Sequence, residues 1–340
     1  MPLPTLSDVH VNRPLTMMSV GYYQDAKDFV AGQVFPSIPV PNKSDMYFVY
    51  NRGDFFRNNM ALRAPGTPAV ASGYKLATKT YITNVWALKK IIDDQIRANS
   101  DNPLQPDRDA TFWLTQQSLV NRDVNWAAAY FTTGVWGTAG STDMVGVTGT
   151  PTGQQFLRWD ASGSDPVNDI LTQQLTIKQN TGLWPNTLVL GAWAYIKLLT
   201  NASIIDRLKY GQTAPGPVTV QTSDLEALFK VKRVLVMAGI QTASAENTQL
   251  DSDGTVPDTF SFIAGKNALL AYAADAPGIF AASAGYTFNW TGLTGATAAG
   301  MRIKKFRWEV DAADHVEIES AYAFGQVGPD LGVFFSGVTS

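Results

Sequence analysis

The chain of 340 residues has no cysteine and only two histidines, His10 and His315. The first absence removes disulfides, thiolate nucleophiles and Cys-ligated zinc or iron–sulfur centres together. The second leaves little for a Ser-His-Asp triad, which needs an imidazole beside an activated serine, and no G-x-S-x-G elbow is present. There is no G-x-x-x-x-G-K-[ST] phosphate loop. Charge is scarce: 16% of residues are Asp, Glu, Lys or Arg, against about 25% in an average soluble protein. No run of about 20 apolar residues could span a membrane. The opening "MPLPTLSDVHVNRPL" lacks the basic start and apolar stretch of a secretory signal, so synthesis in the cytosol is the default.

What is present fits burial in an assembly. Nine Trp and 17 Phe accompany the charge deficit, so part of the surface is expected to be hidden from water by other chains. A net charge of −3 argues against a dedicated nucleic-acid binder. Asp93-Asp94 read as the solvated face of a polar helix. "DSDG" at 251–254 with Asp258 lacks the third alternate ligand and the closing Glu of a calcium loop. His10 and His315 read as ordinary surface or interface residues. No catalytic, cofactor-binding or metal site is expected, and the chain is not read as an enzyme.

The pattern of elements is mixed helix and strand. Residues 1 to 42 are irregular and carry Pro2, Pro4, Pro14, Pro36, Pro39 and Pro41; "VFPSIPVP" should be extended, because each proline biases its predecessor away from the α region. Such a segment needs something to tie it down, and contacts with neighbouring chains are the expectation. "DMYFVYN" and "KTYITNVWAL" read as strands, followed by a short polar helix near 89–97. A long helix should run from about 109 to 135, with an apolar line through Trp113, Val120, Val124, Ala127, Phe131 and Val135. Asp165, Pro166 and Gly182 punctuate another helix. Ser223 and Glu226 suggest a capping box. "NTLVLG", "KRVLVMA", "ALLAYAA", "GYTFNW", "MRIKKFRWEV" and "HVEIESAYAFG" read as strands.

Residues 49–82, "VYNRGDFFRNNMALRAPGTPAVASGYKLATKTYI", stand out. The span between the two strands is far longer than a hairpin loop, and long structureless loops in compact domains usually have a task. It is basic, with Arg52, Arg57, Arg63, Lys75 and Lys79 against Asp54 alone. Arg52-Gly53-Asp54 spells the integrin-binding tripeptide, but a tripeptide arises readily by chance and here lies where a strand enters the arm.

The order of these features resembles the major capsid proteins of tailed bacteriophages. Local passages are similar as well: "DFVAGQVFPSIPVPNKSDMYFVYNRGDFFR", "GLWPNTLVLGAWAYIKLLTNASIIDRLKYG", "LEALFKVKRVLVMAGI", "GKNALLAYAA" and the closing "GPDLGVFFSGV". The resemblance implies the Hong Kong ninety-seven-type (Johnson) α+β fold. It assigns 1–43 to the N-terminal arm, 44–88 to a long β-hairpin E-loop, and 89–185 to a P domain with its spine helix at about 109–135. Residues 186–308 become mainly the A domain, and 309–340 the C-terminal strands returning to the P domain. It further implies self-assembly as pentamers and hexamers into an icosahedral virion shell enclosing double-stranded DNA, assembled in the host bacterial cytoplasm. Scaffold, portal and cement or decoration proteins would be further partners, DNA contact would be non-specific, and no membrane would be involved.

On this resemblance the E-loop lies across an adjacent subunit through Arg52, Asp54, Phe55, Phe56, Arg57, Arg63, Lys75 and Lys79. Glu309, Asp311, Asp314, Glu317 and Glu319 are candidate acidic partners by charge. Such screened pairs set register more than strength. Some members carry an N-terminal scaffolding domain; the chain starts at Met1 with no such domain evident, and a separate scaffold could serve. Some cross-link an E-loop Lys to a neighbouring Asn; Lys75 and Lys79 lie in that region, but no cross-link is expected. Two alternatives stand: an encapsulin-like nanocompartment shell, which shares the fold, and a soluble α/β enzyme using the arm as a lid.

Overall fold

A computed structural model of the chain describes residues 23–100, 105–137, 140–211, 219–242, 259–278 and 280–340. The chain begins with α1 (Ala31–Val34), β1 (Ser37–Val40), β2 (Ser44–Tyr50), α2 (Arg52–Phe56), β3 (Leu76–Ile82) and β4 (Asn84–Asp93). It continues through α3 (Asp94–Asn99), the 25-residue α4 (Pro106–Tyr130), β5 (Met144–Val147), β6 (Gln155–Leu157) and α5 (Pro166–Thr181). Next come β7 (Thr187–Gly191), α6 (Ala192–Leu199), α7 (Ala202–Gly211), α8 (Thr222–Phe229) and β8 (Arg233–Met237). The strands β9 (Ile240–Thr242), β10 (Phe260–Phe262), β11 (Ala268–Ala271), β12 (Gly285–Trp290), β13 (Met301–Trp308), β14 (Ala313–Gln326) and β15 (Gly332–Ser336) complete it.

Six strands form a mixed sheet in the order β6-β5-β15-β11-β7-β8. Its centre is buried on both faces, and the alternation of side chains separates two cores. Leu188 and Leu190 of β7, Leu270 of β11 and Phe335 of β15 face the core beneath α5–α8. Val189, Leu269 and Phe334 face the opposite core, which contains Trp126, Tyr130 and Trp136. "NTLVLG" and "ALLAYAA" read as nearly unbroken apolar runs because both faces are covered.

The second sheet runs β1-β12-β14-β13, with β4 also paired to β14. The 14-residue β14 organises it: residues 313–320 pair with β13 on one side, 313–322 pair with β4 on the other, and 322–326 pair with β12. Ala110 and Leu114 of α4 pack on Ile92, Val316 and Ile318, and the Ser118 and Ser320 hydroxyls share a hydrogen bond of 2.9 Å.

Several expectations require correction. The polar helix near 89–97 is β4 as far as Asp93, and only then α3. The doublets Lys89-Lys90 and Ile91-Ile92 put like residues on opposite faces, so they hide the alternation of a strand. Asp93 is no solvated helix-face residue: its carboxylate caps α3 by accepting from Gln95 N–H, while Asp94 binds Arg307 through both oxygens at 2.6 and 2.7 Å. The long helix is Pro106–Tyr130, and its buried line is Ala110, Leu114, Asp123, Trp126 and Tyr130. Trp113 points largely outward, 39% exposed; the polar Asp123 had masked the true stripe. The capping box belongs to Gln221 and Asp224, while Glu226 accepts from Val234 N–H at 3.0 Å. His315 is no surface histidine: it is buried in β14, ring to ring with Phe306 and Trp308 at 5.2 and 5.7 Å. The acidic turn at 251–258, His10 and the first 22 residues lie outside the described residues.

The described part of the N-terminal arm is held in part by its own chain. Phe29, Val30, Ala31, Val34 and Phe35 are buried, and β1 pairs in parallel with β12. Pro39 is tolerated there because β1 is an edge strand.

Candidate subunit-association surface

The arm between β2 and β4 is the feature its own chain covers least. The strands β2 and β3 pair antiparallel from Ser44↔Ile82 to Tyr50↔Leu76, and among the described residues no third strand pairs beside them. Their root rests on β12: the Tyr81 ring stacks on Phe288 at 4.5 Å and 9°, and Tyr47 packs on the same ring at 5.7 Å. Thr83 is the joint with the body, giving both its N–H and its hydroxyl to the Lys43 carbonyl at 2.9 Å. Along the arm, apolar side chains face outward. Met46, Phe48, Val70 and Ile82 are each more than 60% exposed, and Met60 and Leu62 reach 94% and 103%.

At the neck, α2 contains the Arg52-Gly53-Asp54 tripeptide. Asn51 caps it by accepting from Gly53 N–H at 3.3 Å. Arg52 pairs with Asp330 at 2.9 Å. Asp54 accepts from the backbone N–H of Lys75 at 3.0 Å, which holds its carboxyl below the usual carboxylate range, and Arg57 lies 3.8 Å from its other oxygen. Farther out, Arg63 Nε donates to the Thr67 carbonyl at 2.5 Å. Lys75 and Lys79 have no ion-pair partner among the described residues.

The acidic candidates lie on β14 (Asp314, Glu317, Glu319) or in the β13–β14 turn (Glu309, Asp311), and all but Asp311 already pair with a cation of their own chain. Asp314 binds Arg97, whose hydrogen bond holds its carboxyl below the usual range, and lies 3.4 Å from Lys305. Glu319 binds Arg302, with the same effect on its carboxyl, and Lys304 at 3.1 Å. Glu317 meets Lys304 at 3.0 Å, and Glu309 meets Arg307 at 3.2 Å. Asp311 lies 3.7 Å from His315 Nε2. Glu309 and Asp311 are the most open of the five, with side chains 81% and 52% exposed. Neither these acids nor the basic residues of the arm meet each other within the chain, Asp54 with Arg57 aside.

Sequence reasoning missed the two charges that seat α1 of the N-terminal arm. Asp123, buried on α4, accepts from Val30 and Ala31 N–H at 3.1 and 3.0 Å and so caps α1. Burial raises its carboxyl to about 6 against the opposing pull of these bonds. Arg233 takes the other end of α1, donating to the Gln33 and Val34 carbonyls at 2.8 and 2.7 Å and to Thr187 Oγ1 at 3.0 Å. A helix of four residues is thus pinned by a negative group at its N-terminus and a positive group at its C-terminus, as its peptide dipoles favour. A charged residue within an apolar helical pattern was the available signal.

A recess of about 360 Å³ beside Arg233 and Asp275, and another of about 390 Å³ inside the arm tip, hold neither a histidine nor a carboxylate pair. Among the described residues no helix is long and apolar enough to cross a membrane, and no group of His, Asp or Glu could hold a metal ion.

No protein-family model matches the chain. The major capsid protein of Burkholderia phage BcepMu is 33% identical over 115 residues, which is 34% of this chain and 32% of that protein. The match therefore spans about a third of that relative's length. Likeness of structure extends much further. A phage-related protein of Bordetella bronchiseptica RB50 superposes with a TM-score of 0.65 at 17% identity, covering 93% of this chain and 94% of that one. The subunit of the bacteriophage PhiM1 mature capsid gives 0.59 at 10% identity, covering 94% and 89%. An encapsulin of Synechococcus elongatus PCC 7942, solved as the holo-SrpI complex, gives 0.50 at 10% identity, covering 100% and 98%. The chain has the α+β fold of phage capsid subunits.

Proposed function

We propose that this chain is a major capsid protein, assembling through pentamers and hexamers into the icosahedral head shell of a tailed phage around its double-stranded DNA. The exposed arm carries the reading. An isolated two-stranded ribbon is marginal in water, and bare apolar surface on this scale marks an interaction site. A neighbouring copy of the chain would supply the missing cover. On this reading 1–43 serve as the N-arm, 44–88 as the E-loop, 89–185 as the P domain, 186–308 mainly as the A domain, and 309–340 as the returning strands.

Lys75 and Lys79 are then the arm cations best able to reach across to a neighbour, with Glu309 and Asp311 as the more open acids. The protein works as a structural component of the virion, built in the bacterial cytoplasm, and not as an enzyme. Scaffold, portal and cement proteins are the partners such a shell calls for. DNA contact is non-specific and weak, since an acidic balance gives little counterion release.

Sedimentation of the expressed chain tests the reading, alone and with a scaffold. The intact chain should give capsomers or closed particles, and a chain with residues 58–73 replaced by a short turn should remain a folded monomer. Equal assembly of both chains would contradict it. The likeness to the encapsulin shell supports a second reading, in which particles hold protein cargo instead of DNA. Nucleic-acid and protein gels of purified particles separate the two.

A further inference from the structure

We propose that the Arg52-Gly53-Asp54 turn is a fixed elbow, docked on its own chain, that aims the distal arm at a neighbouring copy. This rests on the shell reading and gives Arg52 and Asp54 the role of positioning residues, not of contacts to that neighbour.

The elbow is attached on two sides. Arg52 reaches Asp330, just before β15, and the Phe56 ring lies over Gly182, so close that a Cβ there would sit 3.1 Å from Cζ. Gly182 ends α5 with φ of +75°, a conformation that already favours glycine, and the ring uses the space this leaves. A third contact packs Tyr50 at the end of β2 against Phe280 at 5.3 Å.

The elbow also ties the two legs of the arm together. Asp54 binds the returning backbone at Lys75, and Phe55 and Tyr74 pack ring to ring at 5.6 Å. An integrin-type motif would present its carboxylate freely; here the Asp54 side chain is 11% exposed and engaged by Lys75 and Arg57. Beyond this neck the bonds close within the arm, as between Asn59 and Ser72 at 2.7 Å. Fixing the neck reduces the conformational freedom lost when the tip meets a neighbour, the usual benefit of preorganisation. The flexing part of the arm is therefore 58–73, and the elbow keeps its own chain's contacts when subunits associate.

The lack of cysteine makes the test clean. R52C/D330C chains are treated with a short bismaleimide as soluble protein and again as assembled particles, then resolved on denaturing gels with mass-spectrometric mapping. The expected product in both states is a bridged monomer, and bridging before assembly should change particle yield by less than about twofold. Covalent dimers from particles would mean that the elbow passes to a neighbour, and loss of bridging on assembly would mean that it lets go; either overturns the proposal. So would bridged chains that cannot assemble when unbridged ones can. If R52C/D330C does not fold, Y50C/F280C reads the same docking. If the parent forms no particles at all, the shell reading fails, while bridging of the soluble chain still supports the elbow and its absence there overturns it.

Discussion

Asp123 illustrates how a single buried charge can serve position at the expense of stability. Its two N–H partners on α1 favour the carboxylate, and Arg122 adds to them, but burial outweighs both and lifts its carboxyl to about 6 from an ordinary 3.8. A carboxyl raised in the folded state binds its proton more tightly there than in the unfolded chain. The cost is fully present above about pH 6 and is relieved as pH falls towards the ordinary value. Lowering the pH from about 7.5 to about 4.5 should thus stabilise the parent relative to D123N by about 2 kcal/mol. Asp169, also lifted to about 6 by burial, is present in both chains and cancels. Urea denaturation of both proteins at the two pH values checks this; equal changes of stability in the two proteins would show that Asp123 is not the titrating group.

Among the elements, β15 and the segment after α4 depend on one close approach. A Cβ on Gly332 would meet the Trp136 ring at 2.2 to 2.7 Å, and Trp136 is wholly buried, its Nε1–H given to the Tyr130 carbonyl at 2.7 Å. G332A should therefore cost about 1–3 kcal/mol by overpacking, read as a lower denaturation midpoint; an unchanged midpoint would mean that the ring can shift. Elements whose pattern comes from burial were legible in the sequence: the apolar runs of β7 and β11, and the Asp165-Pro166 start and Gly182 stop of α5. Of the arm, β2 was legible, but "KTYITNVWAL" is not one strand: it breaks at Thr83 into β3, paired with β2, and β4, paired with β14. Elements whose pattern is carried by partners distant in sequence were not legible. β4 is a strand because β14 binds along its length, which the like-residue doublets conceal, and the buried line of α4 includes Asp123 because α1 supplies its hydrogen bonds. The arm was legible as an anomaly of length and charge, but the ties of Arg52 to Asp330, of Asp314 to Arg97, of Glu317 to Lys304 and of Glu319 to Arg302 and Lys304 depend on three-dimensional approach.

The whole molecule joins two well-filled cores to an appendage that neither core covers. The six-stranded sheet and the sheet around β14 meet at α4, whose C-terminal half lies in one core and whose N-terminal half packs on the other sheet. The N-terminal root is strapped across this junction by Asp123 and Arg233, so the body can act as a rigid unit while the tip engages a neighbour. Association in the proposed shell rests on non-covalent burial, and denaturing gels of particles should show a single monomer band; a ladder of covalent oligomers would point instead to cross-links at Lys75 or Lys79. The most direct test is a cryo-electron microscopy reconstruction of particles formed by the chain. The account predicts a closed shell in which Met60, Leu62 and Val70 are covered by an adjacent subunit. A shell with these side chains open to solvent, or a chain that stays monomeric even with a scaffold, would contradict it.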